Sequence, residues 1–469
     1  MYTIPNEYYL RIHHVRPRFK SNVESVMLYM ADICSQLPTL PITQYNEQMF
    51  NAIRLFPGNE RSADKTINNW RTEIAALFGL YVENKVSQLT RTGEISMLLN
   101  KSEDLVQFFK YFLYKFQYPG GHLKSDYVKE LIDEGVRFKP AQCILKVLHD
   151  AEALTNKPLG INKAEATHCI FNDLRVTRDN RPTQEIVKLI LGNRQSKVDY
   201  DSSGDTIRYA GDILDYMVLA NLLRESHGYY YINRSENNAI FAFMESDELC
   251  SVYDSFYGNS FSARDVGLME CEWFTYVNQN LEESIFRTDI ISYITDGDVS
   301  AEQVDGYATL IEDKITEVLS STKTKDIGDL GETLILGHEK VRIRAAGRDD
   351  LIHLIKKIPT HFAVGYDIQS VEEDARKRYI EVKTTISSKP LSFYSFHLTP
   401  NEWDTASTLK DRYFVYRLMI SKIDKTIYIL QDPVGLYKED RIKMTPRNGA
   451  EINFNSYQCD KTELMIWND

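Results

Sequence analysis

Residues Gly365 to Thr385 read GYDIQSVEEDARKRYIEVKTT, two short apolar stretches on either side of a charged turn. Polar residues stand where a strand would be apolar. Asp367 follows Ala363-Val364-Gly365-Tyr366, and Glu381 and Lys383 flank Val382. Successive side chains on a strand point to opposite faces, so Glu381 and Lys383 share one face and Val382 lies on the other. Pairing of the two strands through a turn at Val371 to Lys377 brings Asp367 alongside Glu381. Two carboxylates and an ammonium then converge on one spot.

Two like charges buried side by side are costly unless something positive lies between them. A divalent cation supplies that charge. Two hard carboxylates suit Mg²⁺, with Mn²⁺ as an alternative, because such an ion keeps several waters and completes its shell from a phosphate. Lys383 would face the scissile phosphate as a point charge, beside a water that the metal makes more acidic. The chemistry expected is metal-assisted phosphodiester hydrolysis. The plainer alternative is a solvated edge hairpin whose Asp, Glu and Lys are surface charges.

The surroundings of this stretch resemble the C-terminal domain of the NO VEIN type, a branch of the PD-(D/E)xK nuclease superfamily. The resemblance rests on Gly331-Glu332, Gly365-Tyr366-Asp367-Ile368, Ile380 to Thr385, FHLTPNEW at Phe396 to Trp403 and YFVYRL at Tyr413 to Leu418. It covers roughly the last third of the chain. It implies that Asp367 and Glu381 are the metal-binding acids, Lys383 the catalytic lysine, and Glu332 an acid on the upstream helix that supports the metal or a second one. The Val382 carbonyl would be a further ligand. Gly-Tyr precedes Asp367 where the superfamily pattern has Pro. The resemblance also implies 3′-hydroxyl and 5′-phosphate ends. One such site cuts one strand, so a double-strand break needs a homodimer, a partner subunit or sequential nicking.

At 469 residues, 43% of them apolar and 12% aromatic, the chain has ample material for several cores, and a soluble, cytoplasmic protein of two to four domains is expected. No apolar run approaches the length of a membrane span, and MYTIPNEYYLRIHHVRPRF lacks the apolar segment of a signal peptide. The six cysteines form no C-x-x-C pair, so reduced thiols and no structural zinc are expected. The chain also lacks G-x-x-x-x-G-K-[ST], which excludes a P-loop NTPase; any translocation powered by a nucleotide would need a partner.

The net charge of -12 is unevenly spread. Residues 236–313 hold 17 acidic and 2 basic residues, whereas residues 1–235 come to +2 and residues 325–469 to 0. The acidic block reads as a helical connector with a solvated face. A sharper reading makes it a mimic of DNA charge that occupies the nuclease's own channel until DNA displaces it.

Upstream, Lys65 to Phe78 reads as a helix closed by Gly79, with two short strands around Gly93. That outline is a winged helix, and N-x-W-R-x-E-I-x-x-L-F-G-L resembles the N-terminal modules of some restriction endonucleases. Asn69, Arg71 and the wing residue Arg91 are the polar groups that could touch DNA; the alternative is a core tryptophan in an ordinary helical domain. Phe108, Phe112 and Phe116 recur at helical spacing and read as core. Residues 160–233 repeat the outline with three helices and a hairpin turning at His227-Gly228. Arg175, Arg178, Arg181 and Arg194 fall on its loops and helix ends, where phosphate contacts are usually made. The alternative is a set of scattered arginines on a solvated face. Thr399-Pro400-Asn401-Glu402 forms a helix start, which explains Thr399 and Glu402 without catalysis.

The fold expected is α+β and multidomain. A helical and winged-helix-like DNA-binding region occupies 1–150, a second winged-helix-like module 151–235, an acidic helical connector 236–320, and an α/β restriction-endonuclease-like PD-(D/E)xK domain 321–469. Three functions compete: a restriction or defence DNA endonuclease acting on double-stranded DNA, a nuclease subunit gated by a partner NTPase or effector, and an inactive DNA-binding scaffold.

Overall fold

The structure is a computed structural model. It describes residues 1–17, 23–56, 59, 61–102, 104–279, 286, 327–358, 364–387, 394–421, 425–447, 449–454 and 464–466. The chain divides into two compact units. One comprises Met1–Ser21, Val26–Lys101 and Leu105–Thr288; the other comprises Asn22–Ser25, Ser102–Asp104 and Asp289–Asp469. Among the described residues, no helix is long and apolar enough to cross a membrane.

The first unit is mainly helical. Helix Asp64–Asn69 runs into a π-helical turn, Trp70–Ala75, and the chain reverses at Gly79, whose φ of +68° explains the glycine. Strands Tyr81–Asn84 and Leu89–Thr92 then pair, with Leu40–Pro41 added along the second. Both strands precede Gly93, so the expectation of strands around that glycine is corrected. The hairpin turns at residues 85–88, where the Asn84 side chain accepts from the N–H groups of Val86 and Ser87, both at 2.9 Å. Gly93 instead lies at the hairpin base, where a Cβ would overlap the Gly79 carbonyl oxygen. Trp70 is buried against Phe56, with ring centroids 5.0 Å apart.

Phe108, Phe112 and Phe116 are buried, as their spacing predicts, and Phe112 packs on Phe78 at 4.7 Å. The next segment opens with Asn162, which closes a capping box with Glu165. Helices Thr183–Gln195 and Gly204–Leu219 follow, burying Ile186, Val187 and Ile190 from one and Ile213, Leu214 and Met217 from the other. Strands Leu223–Ser226 and Tyr229–Ile232 then pair, with Ile161–Asn162 as a third strand. The two-residue turn has positive φ at both His227 (+51°) and Gly228 (+79°), the backbone that a tight hairpin of right-twisted strands requires.

Residues 236–279, the first part of the expected connector, pack within this first unit. Glu236 is buried, 2.7 Å from the Lys110 ammonium, and accepts from Asn221 Nδ2 at 2.7 Å. Helix Asn237–Glu245 buries Ala239, Ile240 and Phe243, and helix Glu270–Val277 buries Trp273 and Phe274. The acids of this stretch thus flank an apolar core face, and two of them, Glu236 and Glu248, neutralise the buried Lys110 and Lys115. Of the rest of the expected connector, residues 280–285 and 287–320 lie outside the described residues.

The second unit is α+β. Helix Ile327–Ala345 packs on a six-stranded mixed sheet whose strands run in the order Leu464–Ile466, Lys425–Gln431, Tyr413–Ile420, Lys377–Ile386, Ile368–Val371, Lys356–Lys357. All neighbours are antiparallel except Tyr413–Ile420 and Lys377–Ile386, which are parallel and joined through strand Tyr394–Leu398 and helix Pro400–Leu409. Every residue of Tyr413–Ile420 is buried, as befits a central strand. Glu339, fully buried, ties the long helix to the sheet. It accepts from Ser370 Oγ and Tyr416 OH, each at 2.7 Å, and pairs with Arg342 at 2.7 Å. Burial pushes this carboxyl up, but the hydrogen bond from Arg342 and the charge of Arg378 outweigh it and hold it below the usual glutamate value.

Candidate active site

The hairpin of the second unit has the register that the alternation in its sequence predicts. The strands pair from Ile368 with Ile380 to Val371 with Lys377, and just before the first pair the Asp367 N–H donates to the same Ile380 carbonyl at 2.9 Å, which holds Asp367 beside the strand that carries Glu381. Asp367 Oδ2 also accepts from the Val382 N–H at 2.8 Å. Two residues earlier, Gly365 has a φ of +78°, and a Cβ there would overlap Thr405 Oγ1 on helix Pro400–Leu409. The Gly-Tyr in front of Asp367 therefore lets the strand approach that helix closely, and Tyr413 OH fixes the glycine by donating to its carbonyl at 2.9 Å.

Glu381 is 4% exposed, and its Oε1 lies 2.7 Å from the Lys383 ammonium. The same ammonium lies 3.0 Å from Glu402 Oε2. Glu402 also completes the predicted cap of helix Pro400–Leu409: Thr399 Oγ1 accepts from the Glu402 N–H, and Glu402 accepts from the Thr399 N–H. The helix start explains Glu402 in part only, because the fold carries its carboxylate to the lysine. Sequence spacing could not show this, since 19 residues and a crossover separate the two. Glu332 is ion-paired with Lys357 at 2.8 Å, and the Lys357 charge also acts on Asp367.

The electrostatics follow from three carboxylates around one ammonium. Burial pushes the Glu381 carboxyl well above its ordinary value; Lys383 opposes this, and the charges of Asp367 and Glu402 add to it. Asp367 is raised by burial too, against the Val382 hydrogen bond. Burial alone would lower Lys383, but Glu381 and Glu402 hold it above the ordinary lysine value, so it stays charged. For Glu402 the Lys383 charge overcomes burial and keeps the carboxyl below its usual value.

Among the described residues, no group of three or more His, Cys, Asp or Glu side chains is arranged to hold a metal ion. The donor set nevertheless fits a divalent cation that needs few protein ligands. Asp367 and Glu381 are hard oxygen donors on neighbouring segments, and the Asp367 charge adds to the cost of ionising Glu381, which an added positive charge relieves.

In the first unit the expected DNA-contacting arginines are each held by a group of their own chain. Arg71 donates to Asn46 Oδ1 at 3.0 Å, and Arg91 lies 3.5 Å from Glu94. Arg175 and Arg181 converge on buried Asp173, at 2.6 and 4.0 Å, and Arg181 also reaches Glu185 at 3.3 Å. Arg178 pairs with Asp179 and Arg194 with Glu165, both at 2.7 Å. Asn69, at the end of helix Asp64–Asn69, is half-buried.

Comparison with known proteins defines both units. Residues 331–430, which contain Glu332, Asp367, Glu381, Lys383 and Glu402, match the family model described as Protein NO VEIN, C-terminal. Residues 2–274 match the model described as Restriction endonuclease BpuJI, N terminal, and, with more than half of its length in that match, the chain belongs to this family. A solved structure, the BpuJ1 endonuclease binding domain in complex with pyrene- and phenanthrene-modified DNA, is similar over 59% of this chain and all of that chain, with 22% identity and a TM-score of 0.53. The shared fold is thus established for that portion. Comparison with curated proteins gave no match.

Proposed function

We propose that the protein is a Mg²⁺-dependent DNA endonuclease of the restriction or defence type, in which the first unit binds double-stranded DNA and the second hydrolyses a phosphodiester bond. The observation that carries this reading is that Asp367, bonded to Ile380 and Val382, lies beside the strand that carries Glu381 and Lys383, whose side chains are 2.7 Å apart. The sequence of elements in the second unit, a helix, an antiparallel hairpin, a crossover and a parallel strand, supports the PD-(D/E)xK assignment made from the sequence. The BpuJ1 domain's complex with DNA supports the role given to the first unit.

Asp367 and Glu381 would hold the cation, with the Val382 carbonyl as a further donor. When bound, Mg²⁺ or Mn²⁺ supplies Lewis acidity toward a phosphate oxygen and makes water more acidic. The chain's own part is positional and electrostatic. The Val382 N–H fixes Asp367, Lys383 orients the attacking water and offsets negative charge on the phosphate, and the buried faces of the sheet keep competing water out. Glu332, held by Lys357, would support the site from the long helix. Asn69, Arg71, Arg91, Arg175, Arg178, Arg181 and Arg194 are the proposed DNA contacts, with the Arg71 guanidinium already oriented by Asn46 and the other five by acids of their own chain. The protein would work in the cytoplasm, as a homodimer or with a partner subunit where both strands are cut.

Supercoiled plasmid with purified protein provides the test. Conversion to nicked or linear DNA in Mg²⁺ and none in EDTA supports the proposal. Binding without cleavage in either Mg²⁺ or Mn²⁺ refutes it.

A further inference from the structure

The nuclease reading, on which this inference rests, gives no role to the third acid at the site. Glu402 Oε2 lies 3.0 Å from the Lys383 ammonium, and its side chain is 16% exposed. We propose that Glu402 is a positioning residue for Lys383: the carboxylate aims the ammonium at the Asp367–Glu381 pair and remains its partner when Glu381 is engaged elsewhere.

Three features support this. A lysine is a point charge on a flexible four-carbon stem, so its direction has to be imposed by neighbours. Glu381 cannot do so alone, because a carboxylate that serves a cation has its oxygens committed. Glu402 is also well anchored. Its helix starts with Thr399 at the cap and Pro400 in the first turn, and the helix is seated where Gly365 passes Thr405 and Asn401. The close approach that aligns Asp367 therefore also aligns Glu402. Finally, the cap does not require a charge. An acceptor at the third helical position closes the box equally well as Gln, whereas a largely buried carboxylate needs a cationic partner, and Lys383 is that partner.

Glu402→Gln separates the two roles, since it keeps the length and the acceptor for the Thr399 N–H and loses only the charge. The expected result is an unchanged melting temperature, unchanged duplex affinity with Ca²⁺ in place of Mg²⁺, and a single-turnover cleavage rate reduced roughly 100-fold, the scale of a misplaced catalytic group. A second, metal-free readout is a thermal-denaturation cycle of Lys383→Met and Glu402→Gln, in which Glu402→Gln, without effect on the melting temperature of the wild type, is expected to shift that of Lys383→Met because the pair is in contact. Cleavage by Glu402→Gln at the wild-type rate overturns the positioning role and leaves the nuclease reading intact. Loss of calorimetric Mn²⁺ binding in Glu402→Gln also overturns it, by making Glu402 a ligand. Wild-type protein that cuts nothing in Mg²⁺ or Mn²⁺ overturns the nuclease reading and the positioning role together.

Discussion

Gly331 lies directly against Thr384: a Cβ on the glycine would overlap the threonine's Oγ1, Cβ and Cγ2. The contact brings helix Ile327–Ala345 down onto strand Lys377–Ile386 one residue beyond Lys383, and so ties the height of the helix to the position of the strand that carries Glu381 and Lys383. Gly331→Ala gains about 1 kcal/mol of helix propensity but overpacks a rigid contact, which costs about 1–3 kcal/mol. Net destabilisation is expected in urea denaturation, partly relieved by adding Thr384→Ala. Stabilisation by Gly331→Ala alone would show that the contact is not tight.

The paired acids make a pH-dependent contribution to stability. The folded-state carboxyl of Glu381 is raised well above its ordinary value, and that of Asp367 is raised too. A raised carboxyl favours folding most below its unfolded pKa, and the contribution is lost as pH rises through the folded pKa. At neutral pH without metal, Glu381 therefore costs stability. Glu381→Gln is expected to raise stability in EDTA at neutral pH by on the order of 1 kcal/mol, seen as a higher melting temperature, with the gain fading toward the ordinary carboxylate range, and to abolish cleavage. A lower melting temperature at neutral pH would contradict this account of the charge balance.

Much of the site was legible in the sequence, for physical reasons specific to it. The period-2 alternation around Val382 fixes which side chains share a face, and the charged turn fixes the register, so Asp367, Glu381 and Lys383 could be placed before any fold was known. The Thr399 cap and the His227-Gly228 turn were equally local. What could not be read was long-range. Glu402 looked like a complete helix cap, and only the parallel crossover to Tyr413–Ile420 carries it to Lys383. The Lys357 partner of Glu332 was equally out of reach, since it stands on a separate strand. Gly93 looked like a hairpin centre because a glycine at a close backbone approach carries the same signal as one in a turn.

The arginines of the first unit should divide into two kinds. Arg194 neutralises Glu165, which is 2% exposed, whereas Arg178 pairs with Asp179 at the surface. Arg194→Ala strands a buried charge and is expected to cost about 3–5 kcal/mol in denaturation. Arg178→Ala should change stability by less than about 1 kcal/mol, while its loss of a phosphate contact reduces the salt slope of duplex binding by about one. Equal effects of the two variants on stability would contradict the division.

The central claim is that Asp367 and Lys383 cut DNA. The most direct measurement is single-turnover cleavage of an end-labelled duplex in Mg²⁺ by wild type, Asp367→Ala and Lys383→Ala, with the product ends sequenced and the folding of each variant checked by melting. The account predicts 3′-hydroxyl and 5′-phosphate ends from wild type and a rate at least roughly 100-fold lower in either folded variant. Cleavage at the wild-type rate by either folded variant would contradict it.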